Sequence, residues 1–142
     1  MSGRFHRAPD RFPPERCFPA LYLSLSPEVC IAELLRHTSP LNMDHIRESR
    51  LSELRVRLNA VLDARDLDAL GLTHEILLKP HEHEAGQRLG ETTMRCGYEG
   101  LLVPSATRLG DNLIVLPNAR KETSQLDAIG YRDLQEVYYI DS

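Results

Sequence analysis

Glu33 stands between Ala32 and Leu34 in the apolar stretch Val29-Cys30-Ile31-Ala32-Glu33-Leu34-Leu35. A carboxylate buried there without a partner is costly, so it either finds donors or lies on the wet side of a helix beside Arg36. Ser105 comes directly after the apolar run Leu101-Leu102-Val103-Pro104. Loops at strand ends often carry functional groups, although serine in a turn is also commonplace. His81-Glu82-His83-Glu84 has the residue types of a metal site. Its histidines are two apart and do not share a helix face, whereas the zinc-protease pattern needs a spacing of four. That stretch reads as a solvated, acidic helix start. Cys17, Cys30 and Cys96 lack metal spacing and fit small buried hydrophobes. A nucleophilic pair of Cys30 with His37 remains open but has no support in the pattern. Neither phosphate-binding glycine loop occurs.

Composition narrows the classes. The chain has 142 residues, 42% hydrophobic and 27% charged, which fits one globular domain over residues 1–142. A chain of this length buries roughly two-thirds of its unfolded surface and needs no disulfide staple. No apolar run approaches the roughly twenty residues of a membrane span, and the start has no apolar signal region. The reading is a reduced, cytoplasmic protein that is not held in a membrane. The net charge of -4 gives no broad footprint for nucleic acid. All but Lys79 and Lys121 of the 17 basic residues are Arg. That bias fits an anionic small-molecule site, and equally a GC-rich genome.

The elements that must position these residues form a mixed α+β pattern. Residues 3–19, with prolines at 9, 13, 14 and 19, exclude a regular helix. Leu21, Leu23 and Leu25 alternate with Tyr22 and Ser24, the period of a strand. Ser26-Pro27-Glu28 caps a helix running to about His37. Leu54, Val56 and Leu58 predict a strand continuing toward Val61-Leu62, although a helix also fits. Asp66–Leu70 predicts a helical turn closed by Gly71, and Thr73 caps a short helix to Leu78, broken by Pro80. Residues 81–96 predict a helix with Ala85, Leu89, Thr93 and Cys96 inward, weakened by Gly86 and Gly90. Strands are predicted at Gly100–Val103, Leu113–Leu116 and Glu136–Ile140.

Four ordered blocks resemble a known family. Gly3-Arg4-Phe5-His6, Phe18-Pro19-Ala20-Leu21-Tyr22-Leu23-Ser24-Leu25-Ser26-Pro27-Glu28 and Ala32-Glu33-Leu34-Leu35-Arg36-His37 resemble the first part of a RES domain. Gly100-Leu101-Leu102-Val103-Pro104-Ser105-Ala106-Thr107-Arg108, followed by Asn112-Leu113, resembles its last part. The family's eponymous Arg, Glu and Ser fall on Arg4, Glu33 and Ser105. Phe5 and His6 stand where Trp and Asn are common.

The resemblance implies a single α+β domain of the ADP-ribosyltransferase-like fold with an NAD cleft. It implies a bacterial toxin paired with a helix-turn-helix antitoxin, with NAD as substrate, inorganic phosphate as a co-substrate and no metal. The implied reaction breaks the nicotinamide–ribose bond, by phosphorolysis or hydrolysis; ADP-ribosylation of a protein is the alternative. Catalytic residues by this reading are Arg4, Glu33 and Ser105. Tyr22 joins them in substrate binding, its ring stacking on the dinucleotide. Arg4 would hold phosphate, Glu33 would stabilise the ribosyl cation, and Ser105 would bond the nicotinamide or its ribose. RES domains generally carry a further N-terminal stretch. With Arg4 so near the first residue, either the true start lies upstream or the domain is trimmed, and Arg4 is expected to be poorly fixed. A binding-only domain is the reading from a different class.

Overall fold

The computed structural model describes residues 2–36, 48–77, 79 and 82–134. Its strands are β1 (Leu21–Ser24), β2 (Arg50–Arg57), β3 (Val61–Asp63), β4 (Gly100–Pro104), β5 (Asp111–Val115) and β6 (Gln125–Asp133). Its α-helices are α1 (Pro27–Arg36), α2 (His74–Leu77) and α3 (Glu84–Arg95), with 3-10 turns at Pro14–Arg16, Asp68–Leu70 and Pro117–Ala119.

Four strands form one sheet in the order β1-β5-β4-β3, antiparallel except for the parallel pair β3–β4. A parallel pair needs a long crossover, and α2 and α3 lie within it. The main core joins this sheet to the N-terminal segment and the crossover: Phe5, Phe18, Ala64, Leu67, Leu77, Leu101, Val103, Ile114 and Leu116. β2 and β6 form a separate antiparallel ribbon whose register shifts between Glu53 and Leu54. A smaller core of Ile31 and Leu134, with Leu34, Leu35 and Leu51 against it, seats α1 on this ribbon. Among the described residues no helix is long and apolar enough to cross a membrane.

Local chemistry explains the boundaries that match. The Val29 N–H donates to Ser26 Oγ at 3.2 Å, which starts α1. Thr73 Oγ1 accepts from the Ile76 N–H at 3.2 Å and starts α2. Gly71 closes its turn at φ 69°, a left-handed conformation natural to glycine.

Four points of the sequence reading need correction. The strand expected from Leu54 through Leu62 is two strands in different sheets. The chain turns between them because the Asn59 N–H donates to the buried Glu99 carboxylate at 2.6 Å, while the Ala60 carbonyl accepts from the Glu99 N–H at 2.9 Å. Cys96 is exposed, since α3 ends at Arg95 and Cys96 lies beyond its last turn. β6 was not legible: Gln125-Leu126-Asp127-Ala128-Ile129-Gly130-Tyr131 has little apolar alternation and owes its strand form to pairing with β2. The fourth concerns the glycines of α3, read as weak points. Both are buried, and a Cβ at Gly86 would lie 2.3 Å from the Arg4 carbonyl oxygen, at Gly90 2.2 Å from that of Phe5. They form a groove that takes the N-terminal backbone. Glu136–Ile140, His37, Leu78, Pro80 and His81 lie outside the described residues.

Candidate functional site

α1 carries Glu33 in its middle, half-buried, toward the ends of β4, β5 and β1. Ser105 Oγ donates to Glu33 Oε1 at 2.5 Å, and Asn112 Nδ2 donates to the same oxygen at 3.2 Å. The Ser105 side chain is fully buried. Its position follows from the β4–β5 turn: the Ser105 N–H reaches the Gly110 carbonyl at 2.8 Å, and the Arg108 N–H reaches the Ser105 carbonyl at 3.0 Å. Arg108 takes φ 60° to close this turn, a left-handed conformation uncommon for a non-glycine residue. The Thr107 N–H also donates to Ser105 Oγ at 3.1 Å. Ser105 therefore holds Glu33 from the end of β4, with its own side chain buried.

Arg4 is brought to the same region and is well fixed, contrary to expectation. Its Nη1 donates to the Leu77 carbonyl at 3.1 Å and to that of Lys79 at 2.9 Å. Its backbone lies against Gly86, and Gln87 Nε2 donates to the neighbouring Gly3 carbonyl at 3.0 Å. The buried Arg7 anchors the segment further along α3, pairing with Glu91 at 2.6 Å. Burial lowers the Arg4 pKa from its ordinary value; the Arg36 charge adds to this, while Glu33 and Tyr22 oppose it. The Arg4 guanidinium thus feels both a second cation and a carboxylate, an arrangement suited to an anion held near a developing cation.

Tyr22 joins the N-terminal segment to β1. Its hydroxyl accepts from the Phe5 N–H at 3.0 Å and lies 2.7 Å from His6 Nδ1, closed in by Gly3. Burial of this end pushes the phenol up to about 12, against the Phe5 N–H and the Arg4 charge. The residue as a whole remains 41% exposed.

The cysteines are free thiols. Burial raises the Cys30 pKa; the Ser24 hydroxyl opposes this and Glu33 reinforces it, so a nucleophilic thiolate is disfavoured beside the site. Among the described residues, no group of three or more His, Cys, Asp or Glu is placed to hold a metal.

The matching family model is the RES domain, over residues 1–136. The chain belongs to the RES domain family. Among solved structures it is similar to the M. tuberculosis MbcT–MbcA toxin–antitoxin complex, with a TM-score of 0.74 and 26% identity. That match covers 93% of this chain and 71% of the other. No curated protein matches. This RES domain thus brings Arg4, Tyr22, Glu33 and Ser105 into one neighbourhood. Sequence reasoning assigned no role to Asn112 or Arg36. A polar residue opening the apolar run Leu113-Ile114-Val115-Leu116 was a signal for Asn112. Nothing in the order of the chain placed Arg36 near Arg4.

Proposed function

We propose that this RES domain cleaves NAD at the nicotinamide–ribose bond and is the toxin of a pair with a helix-turn-helix antitoxin. The observation that carries the reading is the half-buried Glu33 carboxylate, held by two donors and acting on the guanidinium of Arg4. The likeness to a toxin crystallised with its antitoxin supports the partnership.

In this mechanism Arg4 and Arg36 attract the pyrophosphate, and the exposed Tyr22 ring offers a stacking face. Glu33 faces the ribose. When the C1′–N bond breaks, its electron pair leaves with nicotinamide, which departs neutral and needs no general acid. Positive charge grows on C1′ and its ring oxygen, where the Glu33 carboxylate stabilises it. An oxygen of inorganic phosphate then bonds to C1′, giving ADP-ribose phosphate; water gives ADP-ribose and releases a proton. Ser105 keeps Glu33 in position through this change.

The test is nicotinamide release from NAD by the purified protein, with and without inorganic phosphate, with the other product weighed by mass spectrometry. Phosphate-dependent release establishes phosphorolysis. Phosphate-independent release with free ADP-ribose establishes hydrolysis, and ADP-ribose attached to protein establishes transfer. No release under either condition overturns the proposal in favour of a binding-only domain.

A further inference from the structure

We infer that Asn112, oriented by Ser24, is a positioning residue for Glu33, so that a cross-strand pair on β1 and β5 sets the angle of the carboxylate. The inference rests on the reading of Glu33 as the group that faces the ribose.

Ser24 and Asn112 are direct register partners in the antiparallel β1–β5 pair. Directly opposed side chains lie close enough to bond, and Ser24 Oγ donates to Asn112 Oδ1 at 3.0 Å. A side-chain amide has two ends of opposite character. Its oxygen accepts from Ser24, and its nitrogen faces α1, where it donates to Glu33 Oε1 at 3.2 Å. The reverse orientation would set the amide oxygen against the carboxylate oxygen, two acceptors without a proton between them. Because a carboxylate only accepts, Glu33 takes the nitrogen end of the amide, and the Ser24 hydroxyl holds the other end in place without bonding Glu33 itself.

The second donor makes the geometry restrictive. Ser105 Oγ reaches the same oxygen from the end of β4, while Asn112 reaches it from the start of β5. A single donor leaves a carboxylate free to swing about that bond. Two donors from adjacent strands converge on that oxygen and restrict the carboxylate more than either alone.

The test compares nicotinamide release by wild type, Asn112→Ala, Ser24→Ala, the double variant and Ser24→Thr. Misplacing a catalytic group by about 1 Å costs on the order of 10–100-fold, so Asn112→Ala should lose that much in kcat with KM little changed. Ser24→Ala should lose less. The double variant should be no worse than Asn112→Ala, because Ser24 acts only through Asn112. Ser24→Thr keeps the hydroxyl and should restore the rate. Losses that multiply in the double variant, or that fall on KM alone, overturn the inference. Crystal structures of Ser24→Ala and Asn112→Ala provide a readout without turnover. The carboxylate should rotate away from its wild-type plane in both, and an unmoved Glu33 overturns the inference. Wild-type protein that releases no nicotinamide would remove the proposed reaction, and the crystal structures would still decide the positioning role.

Discussion

Glu33 and Glu99 are both carboxylates drawn into the protein, and they are held in different ways. Glu99 is fully buried and accepts from the backbone N–H groups of Asn59 at 2.6 Å and Lys121 at 2.9 Å. Glu33 is half-buried and is held by a hydroxyl and an amide from side chains. Backbone donors are available whatever residues occupy those positions, so Glu99 secures chain path: the corner between β2 and β3 and the segment after the Pro117–Ala119 turn. Side-chain donors exist only because Ser105 and Asn112 are present. A carboxylate held that way is oriented by the side chains around it rather than enclosed by backbone.

Substitutions test that division. Glu33→Gln should bring the largest change, a loss in nicotinamide release on the order of 10²–10³-fold, with a melting midpoint near wild type. Normal turnover would place Glu33 with Glu99, as architecture. Gly86→Ala comes next. Alanine gains about 1 kcal/mol of helix propensity over glycine, yet its Cβ would meet the Arg4 carbonyl at 2.3 Å. Overpacking of this kind costs about 1–3 kcal/mol. The clash should win, and denaturant titration should show net destabilisation together with lost activity as Arg4 shifts.

Glu99→Ala should lower stability by about 1–3 kcal/mol, because two buried N–H groups lose their acceptor, while kcat of the folded fraction is kept. Burial acts to raise the Glu99 pKa, but the N–H groups of Lys121 and Asn59, with the Ser124 and Asn59 side chains, outweigh it and hold it below the ordinary carboxylate value. Its contribution is therefore present above the unfolded carboxyl pKa and is lost as pH falls through the folded one. Acid titrations should show wild type and Glu99→Ala converging in stability at low pH. The smallest effect is expected for Tyr22→Phe, about 0.5–1.5 kcal/mol for the lost hydrogen bonds. The Tyr22 contribution is present below the unfolded phenol value of about 10 and lost as pH rises toward about 12. Alkaline denaturation should thus begin earlier in wild type than in the phenylalanine variant.

Much of this arrangement was legible where the cause is local. Ser26 and Thr73 announced their helices, because a cap acts within three residues. The apolar runs at Leu101 and Leu113 announced the two central strands. The ordered blocks around Arg4, Glu33 and Ser105 marked residues that the fold brings together. What stayed hidden depends on a distant partner. Gly86 and Gly90 read as helix weaknesses until Arg4 and Phe5 lie across them. Asn59 reads as the interior of a strand until Glu99 turns it. Asn112 reads as the polar start of a strand until Ser24 and Glu33 take the two ends of its amide.

The groove on α3 also bears on when the protein acquires its chemistry. Arg4 finds its carbonyl partners 73 and 75 residues later, and Glu33 its donors 72 and 79 residues later. A chain emerging from the ribosome N-terminus first therefore carries both charged residues long before anything can orient them. Until β5 has been made, Glu33 lacks Asn112 and the sheet that presents it. The surroundings of Glu33 are complete only in the last third of translation, so on the proposed reading an unfinished chain has no oriented carboxylate.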